Sequence, residues 1–124
     1  AFLQPATVAL MASEQWRLSA ARDNGAPDRD WAVSWGLGVQ RFTDTSGPGR
    51  GDRLVEGGGF SGWGHLGDAY GAMAVFALDP ATRRGLVVLV LGPGVDPATN
   101  PSRWSALYRW EEQAATAVFQ HALR

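Results

Sequence analysis

Apolar and polar positions along the chain predict a helix at each end. Residues 2–22 mix apolar positions with good helix formers, and Pro5 suits the first turn of a helix. Residues 22–28 are turn formers and end that helix. A second helix is predicted after Asn100, a capping residue, with Pro101 at its first position. Its apolar stripe at helical spacing consists of Trp104, Leu107, Tyr108, Ala115, Val118, Phe119 and Ala122.

The middle of the chain has the pattern of β-strands. Residues 31–42 alternate apolar residues with small or polar ones, which predicts a strand. Within it, Gly36-Leu37-Gly38 is poor strand material and indicates a bulge or a second backbone passing close. Residues 64–67 and 71–78 are predicted as two further strands. From Leu86 to Leu91 the chain is entirely apolar, which predicts a central strand buried on both faces.

A long segment without periodicity, residues 43–62, separates the first predicted strand from the others. A loop of this length inside a compact domain is typically functional or mobile, so we expect it to be mobile or to line a pocket. The predicted order is helix, strand, loop, three strands, helix. This order predicts an α+β fold, with an antiparallel sheet of about four strands and the N- and C-terminal helices packed on it.

The composition fits a single folded domain over residues 1–124. The 124 residues are 45% apolar and include six tryptophans, which supplies a core and excludes disorder. The longest apolar run is far shorter than the ~20 residues of a membrane span, so we expect none. The net charge of −1 offers no electrostatic attraction to nucleic acid or to an anionic membrane.

Two residue types are missing, and their absence removes several kinds of chemistry. Without cysteine there is no disulfide, thiolate nucleophile or thiolate metal site. All eleven basic residues are arginine, which excludes a lysine Schiff base, a Walker A lysine or a Ser-Lys pair within this chain. The two histidines, His65 and His121, have no second ligand nearby in sequence, so neither a metal nor a cofactor is expected. His121 is expected on the surface of the last helical turn, where a cation suits the helix dipole.

Three motifs are best interpreted without a function. The glycine spacings at residues 57–62 and 62–67 match GxGxxG, but neither opens a predicted helix, so nucleotide binding is not expected. Arg50-Gly51-Asp52 matches an adhesion tripeptide and is expected to be solvated loop. Glu111 and Glu112 are expected on a solvated helix face.

The remaining candidate is the glycine-rich segment at residues 62–71. Its glycines flank one ionisable side chain, His65, on a predicted strand that ends in a turn. Small residues let a ligand approach backbone N–H groups, and a histidine can present a proton donor or a positive charge near neutral pH. The residues alone favour a tight hairpin with an incidental histidine over a binding site.

A series of short motifs between Gln4 and Arg124 favours a functional site at His65 over an incidental histidine. Trp35-Gly36-Leu37-Gly38 resembles a Tyr-Gly-Leu-Gly strand, and Gly64-His65-Leu66-Gly67 resembles a Lys-Thr-Gly or His-x-Gly motif. A turn at residues 79–85, the apolar strand and a long C-terminal helix follow. In this order the features resemble the C-terminal portion of the serine β-lactamase-like hydrolases, which include class C β-lactamases, D,D-peptidases and related esterases.

The resemblance implies an acyl-transfer site that hydrolyses a small ester or amide. In the family, the serine of a Ser-x-x-Lys motif attacks the carbonyl and the tyrosine of a Tyr-x-Asn motif assists proton transfer. By that match His65 hydrogen-bonds into the catalytic network or meets a substrate carboxylate, and the Asp68 backbone N–H is one of two oxyanion-hole donors. Residues implied to bind substrate or border the pocket are Gly64, Leu66, Gly67, Tyr70 and the loop at 43–62.

The chain departs from the family pattern in three respects. Ser19-Ala20-Ala21-Arg22 has the spacing of Ser-x-x-Lys, but arginine cannot lose its proton to act as a base. No Tyr-x-Asn occurs, and the family places both motifs earlier in the chain. Leu66 stands where the family has a hydroxyl residue, which favours an esterase-like role over recognition of a β-lactam or peptide carboxylate. We therefore expect a C-terminal fragment of a hydrolase that is inactive alone.

The missing half also predicts a partner. In the family the last strand pairs with an N-terminal strand, so the strand from Leu86 to Leu91 is expected to expose an unpaired edge. The expected partner is the N-terminal half of the hydrolase as a separate chain, or a second copy of this chain. The alternatives are a non-catalytic interaction or strand-exchange module and a small binding domain of unrelated fold. The family is often exported, and the compartment stays open between periplasmic, secreted and cytoplasmic.

Overall fold

The structure, a computed structural model, describes residues 2–25 and 31–123. These residues form one six-stranded antiparallel sheet whose strands lie in chain order, together with helices at both ends. The predicted α+β class is confirmed, and the expected count of about four strands was too low. The strands are β1 (Trp16–Arg17), β2 (Ser34–Trp35), β3 (Gln40–Phe42), β4 (Gly62–Ala69), β5 (Ala72–Asp79) and β6 (Arg84–Leu91). The helices are α1 (Pro5–Ala12) and α2 (Arg109–Val118), with a 3₁₀ turn at Pro97–Thr99 and a π-helical turn at Phe119–Leu123.

The first helix is much shorter than the predicted 2–22. It ends at Ala12 because Ser13 has extended backbone angles, and the chain then enters β1, which pairs with β2. The Leu18 N–H continues that pairing by donating to the Val33 carbonyl at 2.9 Å. Tertiary pairing therefore overrides helix propensity in this segment. Part of the turn predicted at 22–28 lies outside the described residues.

The strand predicted over residues 31–42 is a hairpin of two short strands, β2 and β3. The Gly36 N–H donates to the Val39 carbonyl at 2.9 Å and closes the turn between them. A Cβ on Gly36 would collide with the Met11 carbonyl, while the Leu37 N–H donates to that same oxygen at 2.9 Å. The close backbone approach predicted from these glycines is confirmed.

The three long strands form two tight hairpins. β4 and β5 pair from Trp63 with Leu78 to Ala69 with Ala72, and the turn between them has two residues, Tyr70 and Gly71. Both turn residues have positive φ, 53° and 79°, as a type I′ hairpin turn requires. The strand predicted at 64–67 is present and extends further at both ends, and the strand predicted at 71–78 is present one residue later.

The pleat of β4, β5 and β6 gives the sheet two different faces. On the core face, β5 and β6 pack against α2 and the loop at 43–62. This core is made of Phe42, Leu54, Val55, Phe60, Val75, Ala77, Leu86, Val88, Leu107 and Ala115. The alternate residues His65, Phe76, Val87, Leu89 and Leu91 are exposed and define what we call the open face.

β6 differs from its predicted role as a central strand buried on both faces. It is the last strand of the described sheet, and only its alternate residues Leu86 and Val88 are buried. The prediction was wrong because an apolar run shows that both faces are apolar, not that both are covered.

The loop at residues 43–62 packs against the core instead of lying in solvent. Its Leu54 and Phe60 belong to the core. Asp52, which was expected in solvated loop, is fully buried and accepts hydrogen bonds from the backbone N–H groups of Thr43 at 2.7 Å and Thr45 at 2.9 Å. Those donors explain how a carboxylate can lie inside the loop, although burial raises the pKa of Asp52.

α2 starts later than predicted. It begins at Arg109, not after Asn100, and the backbone N–H of Tyr108 donates to the Glu111 side chain at 2.9 Å. Glu111 closes this capping box and is buried. The solvated position expected for Glu111 was therefore wrong. The 3₁₀ turn at Pro97–Thr99 lies further upstream, and there the Asp96 carboxylate accepts from the Ala98 N–H at 2.9 Å.

Candidate functional site

The structure brings together the two sequence motifs that carry the family resemblance. His65 is exposed on β4, directly opposite Phe76 of β5. Its Nε2 lies 2.9 Å from the carbonyl oxygen of Gly38, in the turn between β2 and β3. The Trp35 ring packs edge-on to the imidazole, with ring centroids 5.7 Å apart and an interplanar angle of 63°. The histidine is therefore held by the other motif, although the two are far apart in the chain.

Among the described strands, only β5 pairs with the end of β4 beyond His65. β3 pairs with β4 as far as Gly64, whereas β5 continues to Ala69. The Gly92 N–H donates to the Gly71 carbonyl at 3.0 Å, so the backbone groups of Gly71 face the chain after β6. The N–H and C=O groups of successive residues in β5 then point alternately toward β4 and toward β6. By that alternation the Asp68 N–H points to the side of β4 away from β5. A backbone donor aimed at a strand edge is the arrangement that an oxyanion donor needs.

A small cleft lies beside this edge. It has a volume of about 40 Å³ and is lined by Trp31, Leu66, Gly67, Asp68, Leu107 and Glu111. Leu66 is half-buried and packs against the core, so its side chain lies on the face opposite His65. The implied substrate residues are thus split between a cleft on the core side and the imidazole on the open face.

Gly64 and Tyr70 are placed differently from each other. A Cβ on Gly64 would collide with the Phe76 carbonyl, so close approach to β5 requires this glycine. Tyr70 lies at the tip of the hairpin between β4 and β5 with its side chain fully exposed. Its φ of 53° is uncommon for a residue with a side chain, and Asn, Asp or Gly usually fill this turn position.

The Ser19 to Arg22 segment does not form the helical turn that a Ser-x-x-Lys motif occupies. The Ser19 hydroxyl donates to the Asp23 carboxylate at 2.7 Å within an exposed turn. Arg22 ends that turn with a φ of 60°. This supports the expectation that the chain's own Ser-x-x-Arg supplies no nucleophile.

Sequence reasoning missed a buried polar cluster around Glu112, which was expected on a solvated helix face. Glu112 is fully buried, and its Oε1 accepts hydrogen bonds from the hydroxyl groups of Ser102 and, at 2.7 Å, Ser105. Burial raises the pKa of Glu112, and these hydrogen bonds oppose the rise. The only sequence signal is the pair of serines that precedes the helix.

The Glu112 cluster is a structural anchor. The Ser102 Oγ also accepts hydrogen bonds from the backbone N–H groups of Trp104 at 3.0 Å and Ser105 at 2.7 Å. A hydroxyl whose oxygen accepts two N–H groups while it donates to a carboxylate has no lone pair left for attack on a carbonyl. The cluster therefore fixes the segment before α2, and these bonds leave Ser102 unsuited to act as a nucleophile.

A larger cleft lies at the opposite end of β4 from Tyr70. It has a volume of about 370 Å³, and the glycine-rich loop contributes Gly58, Gly59 and Phe60 to its wall, opposite Arg84 and Phe119. The loop at 43–62 thus lines a cleft, but one that does not include His65. In the described part of the chain no three His, Cys, Asp or Glu side chains come together to hold a metal ion. Over the same ranges no helix is both long and apolar enough to cross a membrane.

Comparison of the chain with protein-family models, with curated proteins and with solved structures finds no match. The candidate site combines an imidazole held by the Gly38 carbonyl and the Trp35 ring with an exposed apolar sheet face.

Proposed function

We propose that this chain supplies the C-terminal part of a serine hydrolase of the β-lactamase, D,D-peptidase and esterase type. In the complete enzyme the reaction is acyl-transfer hydrolysis of a small ester or amide. The contact between His65 and the Gly38 carbonyl carries the proposal, because it joins the two motifs that resemble the family around one ionisable side chain.

Two groups of this chain have roles in that reaction. The imidazole of His65 hydrogen-bonds into the network that moves a proton during attack on the carbonyl. The Asp68 N–H donates to the oxygen on which negative charge develops, and removing one such donor typically costs about 10²–10³ in kcat. The nucleophilic serine and the tyrosine come from residues outside this chain.

The open face and the side of β6 that no described strand covers give those residues a place to pack. Phe76, Val87, Leu89 and Leu91 are large apolar side chains exposed on the same face as His65. A layer covering them would also enclose the imidazole and exclude water from it. Exclusion of water strengthens the electrostatic interactions on which acyl transfer depends.

An ester is the favoured substrate. Leu66 has no hydroxyl to bind a carboxylate, and its side chain packs into the core rather than beside His65. The chain has no lysine to supply a cation at the site. A neutral ester needs neither group.

The test is to complete the site. This chain is fused behind the N-terminal portion of a β-lactamase-like esterase, which carries Ser-x-x-Lys and Tyr-x-Asn. We expect the fusion to hydrolyse p-nitrophenyl butyrate and to be acylated on the esterase serine, whereas this chain alone turns over neither that ester nor nitrocefin. The esterase's own C-terminal portion in the same fusion is the control. A fusion that folds cooperatively, remains monomeric and shows no acylation would contradict the proposal.

The β6 edge favours a second candidate function, a non-catalytic interaction or strand-exchange module. Residues 85–91 contain no charge and no proline, the usual devices that protect an edge strand from pairing with another chain. If this candidate is correct, the chain self-associates in sedimentation experiments at high micromolar concentration, and Leu89→Lys shifts it to monomer. A wild-type chain that sediments as a clean monomer excludes strand addition between copies.

A further inference from the structure

The hydrogen-bond partner of His65 Nε2 determines which ring nitrogen carries the proton when the imidazole is neutral. A main-chain carbonyl only accepts hydrogen bonds, so the 2.9 Å contact with the Gly38 oxygen requires a hydrogen on Nε2. Neutral imidazole has a hydrogen on one nitrogen only. The lone pair of the ring must then lie on Nδ1, which has no hydrogen-bond partner among the described residues.

The turn between β2 and β3 holds this carbonyl and the ring in place. The hydrogen bond from the Gly36 N–H to the Val39 carbonyl closes the turn, and Gly38 has a φ of 69° that suits glycine. The backbone of α1 supports the turn from behind through the bond from the Leu37 N–H to Met11. The Trp35 ring lies edge-on to the imidazole and restricts its rotation.

We propose that the Trp35–Val39 turn is a positioning element that holds neutral His65 as the Nε2–H tautomer and leaves Nδ1 as a hydrogen-bond acceptor. In the completed enzyme, Nδ1 accepts from a hydroxyl of the catalytic network. This second statement rests on the proposed function, whereas the tautomer does not.

The tautomer separates the two roles that the resemblance leaves open for His65. A carboxylate has no proton to donate, so it is not a partner for the lone pair on Nδ1 of the neutral ring. A hydroxyl group does donate to such a lone pair. The neutral ring is therefore arranged for a hydroxyl network, and the substrate class is an ester without a carboxylate beside His65.

The first experiment reads the tautomer directly in this chain. Two-bond ¹H–¹⁵N spectra of the labelled protein, recorded at alkaline pH where imidazole rings are neutral, assign the protonated nitrogen of each ring. With only two histidines, the exposed His121 serves as an internal reference. We expect His65 to be entirely the Nε2–H form, with its ring N–H protected from solvent exchange. An Nδ1–H form, or the same averaged tautomers as His121, would overturn the inference.

The role of Trp35 is tested by a matched pair of substitutions. Trp35→Ala removes the ring beside His65, whereas Trp110→Ala removes an equal ring from α2, which packs on the opposite face. We expect only Trp35→Ala to increase exchange of the His65 ring N–H and to shift the His65 nitrogen signals toward those of His121. Equal signals in wild type and Trp35→Ala would show that the turn does not position the ring.

A further pair of variants tests the acceptor role in the completed enzyme. Asn places its amide oxygen near the position of Nδ1, and Gln places its amide near Nε2. His65→Asn should then retain about tenfold more kcat/KM than His65→Gln, which is the ratio that one hydrogen bond of ordinary strength gives. The reverse order would contradict the acceptor role. If His65 is the Nε2–H tautomer but the fusion does not turn over the ester, only the proposed function is contradicted. If the fusion turns over the ester but His65 is the Nδ1–H tautomer, only this inference is contradicted.

Discussion

The two faces of the same sheet are equally apolar along β6, and they have opposite environments. Leu86 and Val88 are 3% and 6% exposed, whereas Val87 and Leu89, their immediate neighbours, are 63% and 65% exposed. The difference lies in what packs on each face, because α2 and the loop at 43–62 cover the core face only. A fully apolar strand thus indicates that both of its faces favour burial. Which face is buried within this domain depends on where the other elements of the chain pack.

The site residues divide between these faces in an informative way. The open face holds His65, whereas the core face opposite it is filled by aliphatic side chains such as Val75 and Val88. An ionisable side chain on an exposed apolar surface is available to a ligand without disturbing the core. In the proposed function the open face supplies the imidazole, while the packed residues of the core face supply stability, and each of the following variants tests that division.

The largest expected effect comes from deleting the same side chain on each face. Leu86→Ala should lower the free energy of unfolding by about 3 kcal/mol, because it leaves a cavity in the core. Leu89→Ala should change it by less than about 0.5 kcal/mol, since the side chain is exposed. Urea denaturation of the two variants measures both values. A similar loss in each would mean that the open face is covered in solution.

The next effect concerns the carboxylate buried beneath α2. The folded-state pKa of Glu112 lies above its unfolded value because of burial. Its protonated form therefore stabilises the fold below the ordinary glutamate range, and that contribution is lost as the pH rises through the folded-state pKa. Glu112→Gln keeps an oxygen that accepts from Ser102 and Ser105 and removes the charge. It should raise stability at neutral pH by about 1 kcal/mol and flatten the pH dependence.

Glu56→Gln is the matched control for the buried carboxylate. Glu56 is exposed, so the same chemical change there should leave the pH dependence of unfolding as in wild type. The measurement is thermal unfolding of all three proteins between pH 4 and about pH 8, the range in which buried carboxylates affect stability. If Glu112→Gln followed the wild-type curve, Ser102, Ser105 and the Arg109 guanidinium, 3.7 Å from Oε2, would offset the cost of burying the charge, contrary to this prediction.

The smallest effect is expected at the hairpin tip beside the open face. Tyr70 has a left-handed backbone in a turn that favours Asn, so Tyr70→Asn should stabilise the chain by about 0.5–1 kcal/mol. In the completed enzyme the same variant should raise KM for the ester, because Tyr70 borders the proposed pocket. Unchanged stability would show that the turn is not strained, and unchanged KM would remove Tyr70 from the pocket.

The sequence predicts the class of fold and most of the strands because alternation and turn residues are local signals. The Gly36-Leu37-Gly38 segment even predicts the close backbone approach that Met11 makes. The glycine-rich segment around His65 is also placed on a strand that ends in a tight turn, as expected.

The errors have a common physical cause, which is that burial depends on distant contacts. Glu112 carries the helical pattern of a solvated residue, yet the serines that solvate it come from the preceding segment. Asp52 lies in a glycine-rich loop, and only the backbone donors of Thr43 and Thr45 make its burial possible. The contact between His65 and Gly38 is likewise invisible along the chain, since 27 residues separate them.

The most direct test of the division between the faces compares the two histidines in the completed enzyme. His65 and His121 are both exposed, but only His65 lies on the open face beside the Trp35–Val39 turn. The measurement is kcat/KM for p-nitrophenyl butyrate in the fusion that carries either His65→Gln or His121→Gln. We expect a loss of about 10²-fold or more for His65→Gln and no change for His121→Gln, with unfolding free energies equal to wild type. Equal activity in both variants would contradict this expectation.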